Sequence, residues 1–233
     1  MALELRARLR ALADWVEPGC RCLADIGTDH GYIPAALLLE GRTGRAIASD
    51  IAKAPLDRAQ ATAERWGLTE RMDLRLGSGL DVLAPGEADT VVIAGMGGDT
   101  LVDILAAAPW CRETALLLQP MSRAEVLRPW LAENGFSIRR ERLVQDRGVL
   151  YPILDVSGGE MALSESEAWG GVLLGDDPLW GRFLEEQILR LRRAAAGLSR
   201  ARDSTLSERR ETFLRIAGAL EEKKGEFEYA HSS

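Results

Sequence analysis

The sequence predicts an α/β fold: a Rossmann-like, mainly parallel seven-stranded sheet closed by an antiparallel pair, followed by an antiparallel, coiled-coil-like pair of long helices. Three observations carry this expectation. Short apolar runs at 22–26, 45–49, 72–76, 90–93 and 115–118 alternate with helical patterns at 33–39, 53–66, 99–107 and 124–134. Two further strand-like segments, 137–144 and 149–156, are joined by the short glycine-bearing link Gln145-Asp146-Arg147-Gly148, which reads as a hairpin at the sheet edge. Beyond Ser157-Gly158-Gly159 the composition shifts to loop-like sequence and then to long helical patterns.

Taken in order, residues 3–16 read as an amphipathic helix, with Leu5, Leu9, Leu12 and Val16 at three- and four-residue spacing. Strand and helix then alternate, which implies right-handed crossovers and a parallel sheet. The expected division is a first domain over 1–158, a helical domain over 159–224 and a frayed tail over 225–233. Within the second, a loop containing Gly170, Gly171, Gly175 and the turn Asp176-Asp177-Pro178 precedes helices at 179–202 and 205–224. Their apolar stripes are Phe183, Leu184, Ile188, Leu191, Ala195, Leu198 and Phe213, Ile216, Ala217, Leu220, with Ser204 as the expected N-cap between them.

Composition bounds the function classes. The chain has 233 residues, 46% hydrophobic and 28% charged, with a net charge of −7, as expected of a soluble globular protein. No apolar run reaches membrane-spanning length, and residues 1–10 do not resemble a signal peptide. Three cysteines without a paired CxxC arrangement point to a reduced, cytoplasmic setting, and two histidines leave almost no ligand supply for a metal. Charge is uneven: residues 182–224 hold eleven basic side chains against seven acidic, a balance of +4, so the remainder carries −11. A basic element on an acidic body is a footprint of polyanion binding, although a solvated helical face explains the same charges.

The chemistry-bearing motif is Leu23-Ala24-Asp25-Ile26-Gly27-Thr28-Asp29-His30-Gly31-Tyr32. A strand feeding a glycine turn feeding a helix brings backbone close to a ligand at the carboxyl end of a sheet. The acids Asp25 and Asp29 would repel the pyrophosphate that such turns usually receive. A ligand with ammonium, sulfonium and ribose groups, S-adenosylmethionine, suits the turn better. Asp50, with Ile51, follows the second strand at the spacing of a ribose-gripping acid. The run Gly77-Ser78-Gly79-Leu80-Asp81 stands where an adenine ring would lie, and Ala94-Gly95-Met96-Gly97-Gly98 faces the position of a transferable methyl group. Its three glycines leave a gap that a flat base could enter.

Together these motifs resemble those of the bacterial tRNA (adenine-22-N1)-methyltransferases, a class I family. The resemblance rests on Asp25-Ile26-Gly27-Thr28-Asp29-His30-Gly31-Tyr32-Ile33-Pro34, Ala94 to Gly98, Leu117-Leu118-Gln119-Pro120-Met121 and Gly175-Asp176-Asp177-Pro178, and it covers residues 5–224. It implies transfer of a methyl group from S-adenosylmethionine to adenine N1 of tRNA. Asp25, Gly27, Thr28, Asp29, His30, Gly31, Asp50, Ile51, Gly77, Ser78, Gly79, Leu80, Ala94, Gly95 and Met96 would then hold the cofactor. Asp29 is the carboxylate expected to act in catalysis, at the edge of the base. Gly97 and Gly98 would admit the base, and Arg190, Arg193, Arg200, Arg209 and Arg210 would hold tRNA, with Arg6 and Arg10 contributing. A methyltransferase for small molecules or proteins, or a silent RNA-binding relative, remains open at this point, and no metal or membrane is expected.

Overall fold

The computed structural model describes residues 3–198 and 204–232, and divides into two compact units, Met1–Met161 and Ala162–Ser233. The first is built on strands β1 (Cys20–Ile26), β2 (Thr43–Asp50), β3 (Met72–Leu76), β4 (Thr90–Gly97), β5 (Ala115–Ser122), β6 (Phe136–Asp146) and β7 (Val149–Gly158). They form one sheet in the order β3-β2-β1-β4-β5-β7-β6. β1 through β5 pair in parallel, whereas β7 lies antiparallel between β5 and β6. The hairpin turns at Arg147 and Gly148, both with positive φ (50° and 83°), which matches the right-handed twist of the strands it joins.

Helices α1 (Ala7–Ala13), α2 (Tyr32–Leu39), α3 (Lys53–Trp66), α4 (Gly98–Ala106) and α5 (Ala124–Glu133) cover the sheet. α2 is the most enclosed: every residue from Ile33 to Leu38 is buried. Its side chains join Leu12, Val16, Leu23, Ala46, Val92, Leu117 and Ile153 in the main core. The expected helix over 3–16 is shorter than its apolar spacing implied. Leu3, Leu5 and Leu9 pack against that core, yet Leu3 and Leu5 do so from irregular chain. Packing, rather than helix formation, satisfies their apolar side chains. A wholly buried ion pair, Arg128–Glu141 (2.6 Å), ties α5 to β6; losing one partner would strand a buried charge.

The second unit holds α6 (Glu165–Gly170), α7 (Trp180–Gly197) and α8 (Ser204–Ala230). Leu184, Ile188 and Leu191 of α7 pack on Ile216, Ala217 and Leu220 of α8. Two features differ from expectation. α6 forms where a loop is read, because Ser164 and Glu167 make a capping box: the Glu167 amide donates to Ser164 Oγ (3.3 Å), and the Ser164 amide donates to Glu167 Oε2 (2.8 Å). α8 also runs on to Ala230 instead of fraying from Gly225. Phe227 packs edge-on against Trp180 with centroids 5.5 Å apart, anchoring that last stretch on α7. The expected helix end at Arg202 lies outside the described residues. So does the Ser204 side chain, and with it the expected cap.

Candidate active site

The order of the sheet reverses between β1 and β4, so the connections leaving their carboxyl ends part to opposite sides and open a crevice. The turn after β1 sits in that crevice. Gly27 has φ +75° and Gly31 φ +64°, a backbone that a side chain would strain. The amides of Gly27 and Thr28 both donate to the Ser49 carbonyl (2.8 Å each), and the Gly31 amide donates to Thr28 Oγ1 (3.1 Å). These N–H groups are therefore committed within the protein. That geometry agrees with the acidity of the turn: these three amides are not offered to an anion.

Two cavities meet at Gly27. The smaller, about 280 Å³, is lined by Ser49, Asp50, Ile51 and the run Gly77 to Asp81 on one side, and by Met96, Thr100, Asp103 and Ile104 on the other. Asp50 uses Oδ1 to accept the Ala52 amide (2.7 Å); each carboxylate oxygen accepts more than one bond, so the group still has capacity for a ligand. The Ser49 hydroxyl is buried with no hydrogen-bond partner, a polar group that a ligand would satisfy. An ideal Cβ built on Gly27 would lie 2.0 Å from Met96 Cε. Bare backbone at residue 27 is thus what keeps Met96 in place.

The larger cleft, about 1060 Å³, is lined by Asp25, the turn from Gly27 to Tyr32, Ala94 and Gly95, and by Arg6, Arg8, Arg58, Arg65 and Trp66. Asp25 is only 6% exposed. Burial, opposed by a hydrogen bond from Thr28 and reinforced by nearby Asp50, pushes its carboxyl up to about 6. Asp29, by contrast, is largely exposed. Its Oδ1 accepts Arg58 Nε (3.0 Å) and Nη2, and Oδ2 lies 3.3 Å from His30 Nε2. His30 stacks on Tyr32 with rings 4.9 Å apart and 6° from parallel. Asp29 is therefore no isolated carboxylate; it is held by a cation from α3.

The structure narrows the expected glycine gap. Gly98 is buried, and a Cβ there would lie 2.1 Å from the Arg123 carbonyl oxygen. Its smallness serves the close approach of the β5–α5 connection rather than a base. Gly97 is half-buried, with Ser122 Oγ 3.5 Å from where its Cβ would be, and Gly95, at φ +83°, borders the cleft. Beneath Gly95 lies Gln119, fully buried, which accepts the Gly95 amide (3.2 Å) and a hydrogen bond from Arg8 Nη1. Arg8, Gln119 and Arg58 escape the sequence reading of individual roles. Gln119 alone left a trace, as a polar side chain inside the apolar run of β5.

In the helical unit, Arg193 is exposed, while Arg190 and Arg209 lie over the rings of Trp169 (5.2 Å) and Phe213 (5.5 Å). Arg210 is half-buried, with Nε buried and unpartnered. Arg200 lies outside the described residues. In the first unit, Arg10 pairs with Glu40 (2.7 Å) and Asp14 (3.7 Å) and is largely neutralised. Among the described residues no group of three or more His, Cys, Asp and Glu could hold a metal ion, and no helix is long and apolar enough to cross a membrane.

The strand order, the switch-point crevice and its acidic, nucleoside-sized lining define a class I methyltransferase, and the methyltransferase-domain family model matches residues 5–154. A curated tRNA (adenine(22)-N(1))-methyltransferase of Bacillus subtilis (strain 168) is 33% identical over 187 residues, 79% of this chain and 76% of that protein. The chain belongs to that family. The crystal structure of the B. subtilis m1A22 tRNA methyltransferase TrmK has 26% identity and a TM-score of 0.85, covering 95% of this chain and 99% of that one. A candidate tRNA (m1A22) methyltransferase of Streptococcus pneumoniae, solved in complex with S-adenosyl-L-methionine, has 30% identity and a TM-score of 0.83, covering 95% and 100%.

Proposed function

We infer that this protein methylates N1 of an adenine in tRNA, the base corresponding to adenine 22, with S-adenosylmethionine as methyl donor. Family membership carries the reading: the chain is 33% identical to a curated enzyme of that activity and spans 76% of its length. The site fits the donor. Buried Asp25 is the group to meet an ammonium, Asp50 the ribose hydroxyls, and the orphaned Ser49 hydroxyl can be satisfied beside them. Thr28, Gly31 and Ile51 complete the wall, and Gly77, Ser78, Gly79 and Leu80 would flank the adenine ring. Three free cysteines support a cytoplasmic setting.

When bound, S-adenosylmethionine supplies an electrophilic methyl group on a sulfonium. Adenine N1 carries an in-plane lone pair, so no side chain has to remove a proton from it first. The chain's task is to position the base and to place negative potential where positive charge appears. Asp29 is the carboxylate assigned to that task. Arg58 holds it in one orientation, and His30 is positioned beside it. Gly95 keeps the wall of the cleft low. Because N1 is consumed in Watson–Crick pairing, the base must enter unpaired or flipped. Exposed Arg193 and Arg209 of the helical unit contribute phosphate contacts.

Incubation with labelled S-adenosylmethionine and unmodified bulk tRNA, followed by nucleoside analysis, is expected to yield 1-methyladenosine. Label recovered in any other nucleoside, or none in RNA, would refute the reading. In the same assay Asp29→Ala is expected to lower turnover roughly 100-fold with the cofactor still bound. Wild-type turnover would remove Asp29 from catalysis; lost cofactor binding would reassign it to the cofactor site.

A further inference from the structure

The larger cleft has more positive charge than cofactor binding needs. Of its four arginines, Arg58 is engaged by Asp29, and Arg8 by Gln119 and, at 3.9 Å, by Asp146. Arg6 and Arg65 remain. Both are exposed, and neither pairs with a carboxylate among the described residues; Arg65 lies 5.8 Å from the Trp66 ring centroid. In the helical unit Arg192 is bound to Glu221 (2.5 Å), Arg182 to Glu186 (3.0 Å) and Arg215 to Glu165, which leaves Arg193 and Arg209 exposed there as Arg6 and Arg65 are here. The same cleft offers aromatic surface: Tyr32 is 39% exposed, and its ring is kept in place by the parallel His30. Unneutralised arginines beside ordered aromatic rings suit a single-stranded stretch of nucleic acid, with phosphates on the cations and a base on the ring.

We propose that this cleft holds the RNA strand adjoining the target nucleotide, with Arg6 and Arg65 gripping its phosphates and Tyr32 stacking a base. The assignment rests on the tRNA-methylation reading, and it places an RNA grip on the methyltransferase unit itself. Residues 1–161 hold 18 basic side chains against 23 acidic, a balance of −5. That net charge disfavours a polyanion, so two guanidiniums without carboxylate partners next to the acidic turn act as a local guide for the strand.

The test compares wild type with Arg6→Gln/Arg65→Gln and with Tyr32→Leu, using a tRNA transcript. Binding is measured against salt, S-adenosylmethionine affinity by calorimetry, and 1-methyladenosine by nucleoside analysis. For the double variant the proposal expects a KM for tRNA raised about 10-fold and a slope of log affinity against log salt reduced by about 1.4, since each phosphate contact to a single strand contributes about 0.7. Cofactor affinity stays at the wild-type value. Tyr32→Leu is expected to raise the KM about 10-fold with the salt slope intact, because stacking releases no counterions. Wild-type KM and salt slope in the double variant would overturn the proposal. Absence of 1-methyladenosine with wild-type protein would instead overturn the functional reading on which it rests.

Discussion

Replacing Asp25 by asparagine is expected to weaken S-adenosylmethionine binding about 100-fold, as loss of a buried charge-assisted contact does, while making the free protein more stable at pH 8. Both effects come from one buried carboxylate. In the free protein burial pushes its carboxyl up to about 6, so the folded chain holds that proton more tightly than the unfolded chain, whose carboxyl titrates near ~3.9. As pH rises from about 4 to about 6 the unfolded state releases its proton first, and the folded state loses stability across that window. Above about 6 the full penalty is in place, at most about 3 kcal/mol. Asparagine carries no charge and keeps an oxygen that accepts the Thr28 hydroxyl. Denaturant unfolding at pH 8 and pH 4 checks this: the variant is more stable at pH 8, and the difference closes at pH 4. Cofactor affinity of the wild type should fall as pH drops below about 6, whereas the variant stays flat. A variant less stable than wild type at pH 8 would show that Asp25 is ionised at no cost.

Two glycines next to the site are expected to fail in different ways. At Gly27 an added Cβ meets Met96 Cε at 2.0 Å, the far end of a flexible side chain. Gly27→Ala should fold, at a cost of about 1 kcal/mol for its left-handed backbone, but displace Met96 and depress cofactor affinity by about 10-fold or more. At Gly98 the obstacle is the Arg123 carbonyl at 2.1 Å, which is backbone and held by the β5–α5 connection. Gly98→Ala should therefore lose about 3 kcal/mol of stability through overpacking, visible as a lower melting temperature with and without cofactor. Cofactor titration and thermal melts on the two variants separate the cases. Equal behaviour would contradict the assignment of Gly27 to the ligand and Gly98 to packing.

Much of the fold was legible because its signals are local. The runs 22–26 and 45–49 mark strands buried on both faces, which need consecutive apolar residues; the edge strand β3 instead alternates Met72, Leu74 and Leu76 with charged residues, and α3 occupies the expected span, from Lys53 to Trp66. The turn from Asp25 to Gly31 was legible for the same reason: acids and glycines there have no use in a core. What escaped depends on chain far away in sequence. Arg8 reaches Gln119, and Arg58 reaches Asp29 across 29 positions. No local pattern encodes either contact. Gly98 looked like part of a slot because its neighbour across the fold, Arg123, is invisible in the motif. α6 is different: its Ser164 and Glu167 carry a capping signal, masked by the surrounding glycines and the Asp176-Asp177-Pro178 turn.

The most direct measurement uses two unmodified tRNA transcripts that differ only at position 22, adenine in one and guanine in the other, each incubated with this protein and labelled S-adenosylmethionine. The expected result is 1-methyladenosine at position 22 of the first transcript and no label in the second. Equal labelling of both, or no labelling of the adenine transcript by protein that binds the cofactor, would contradict it.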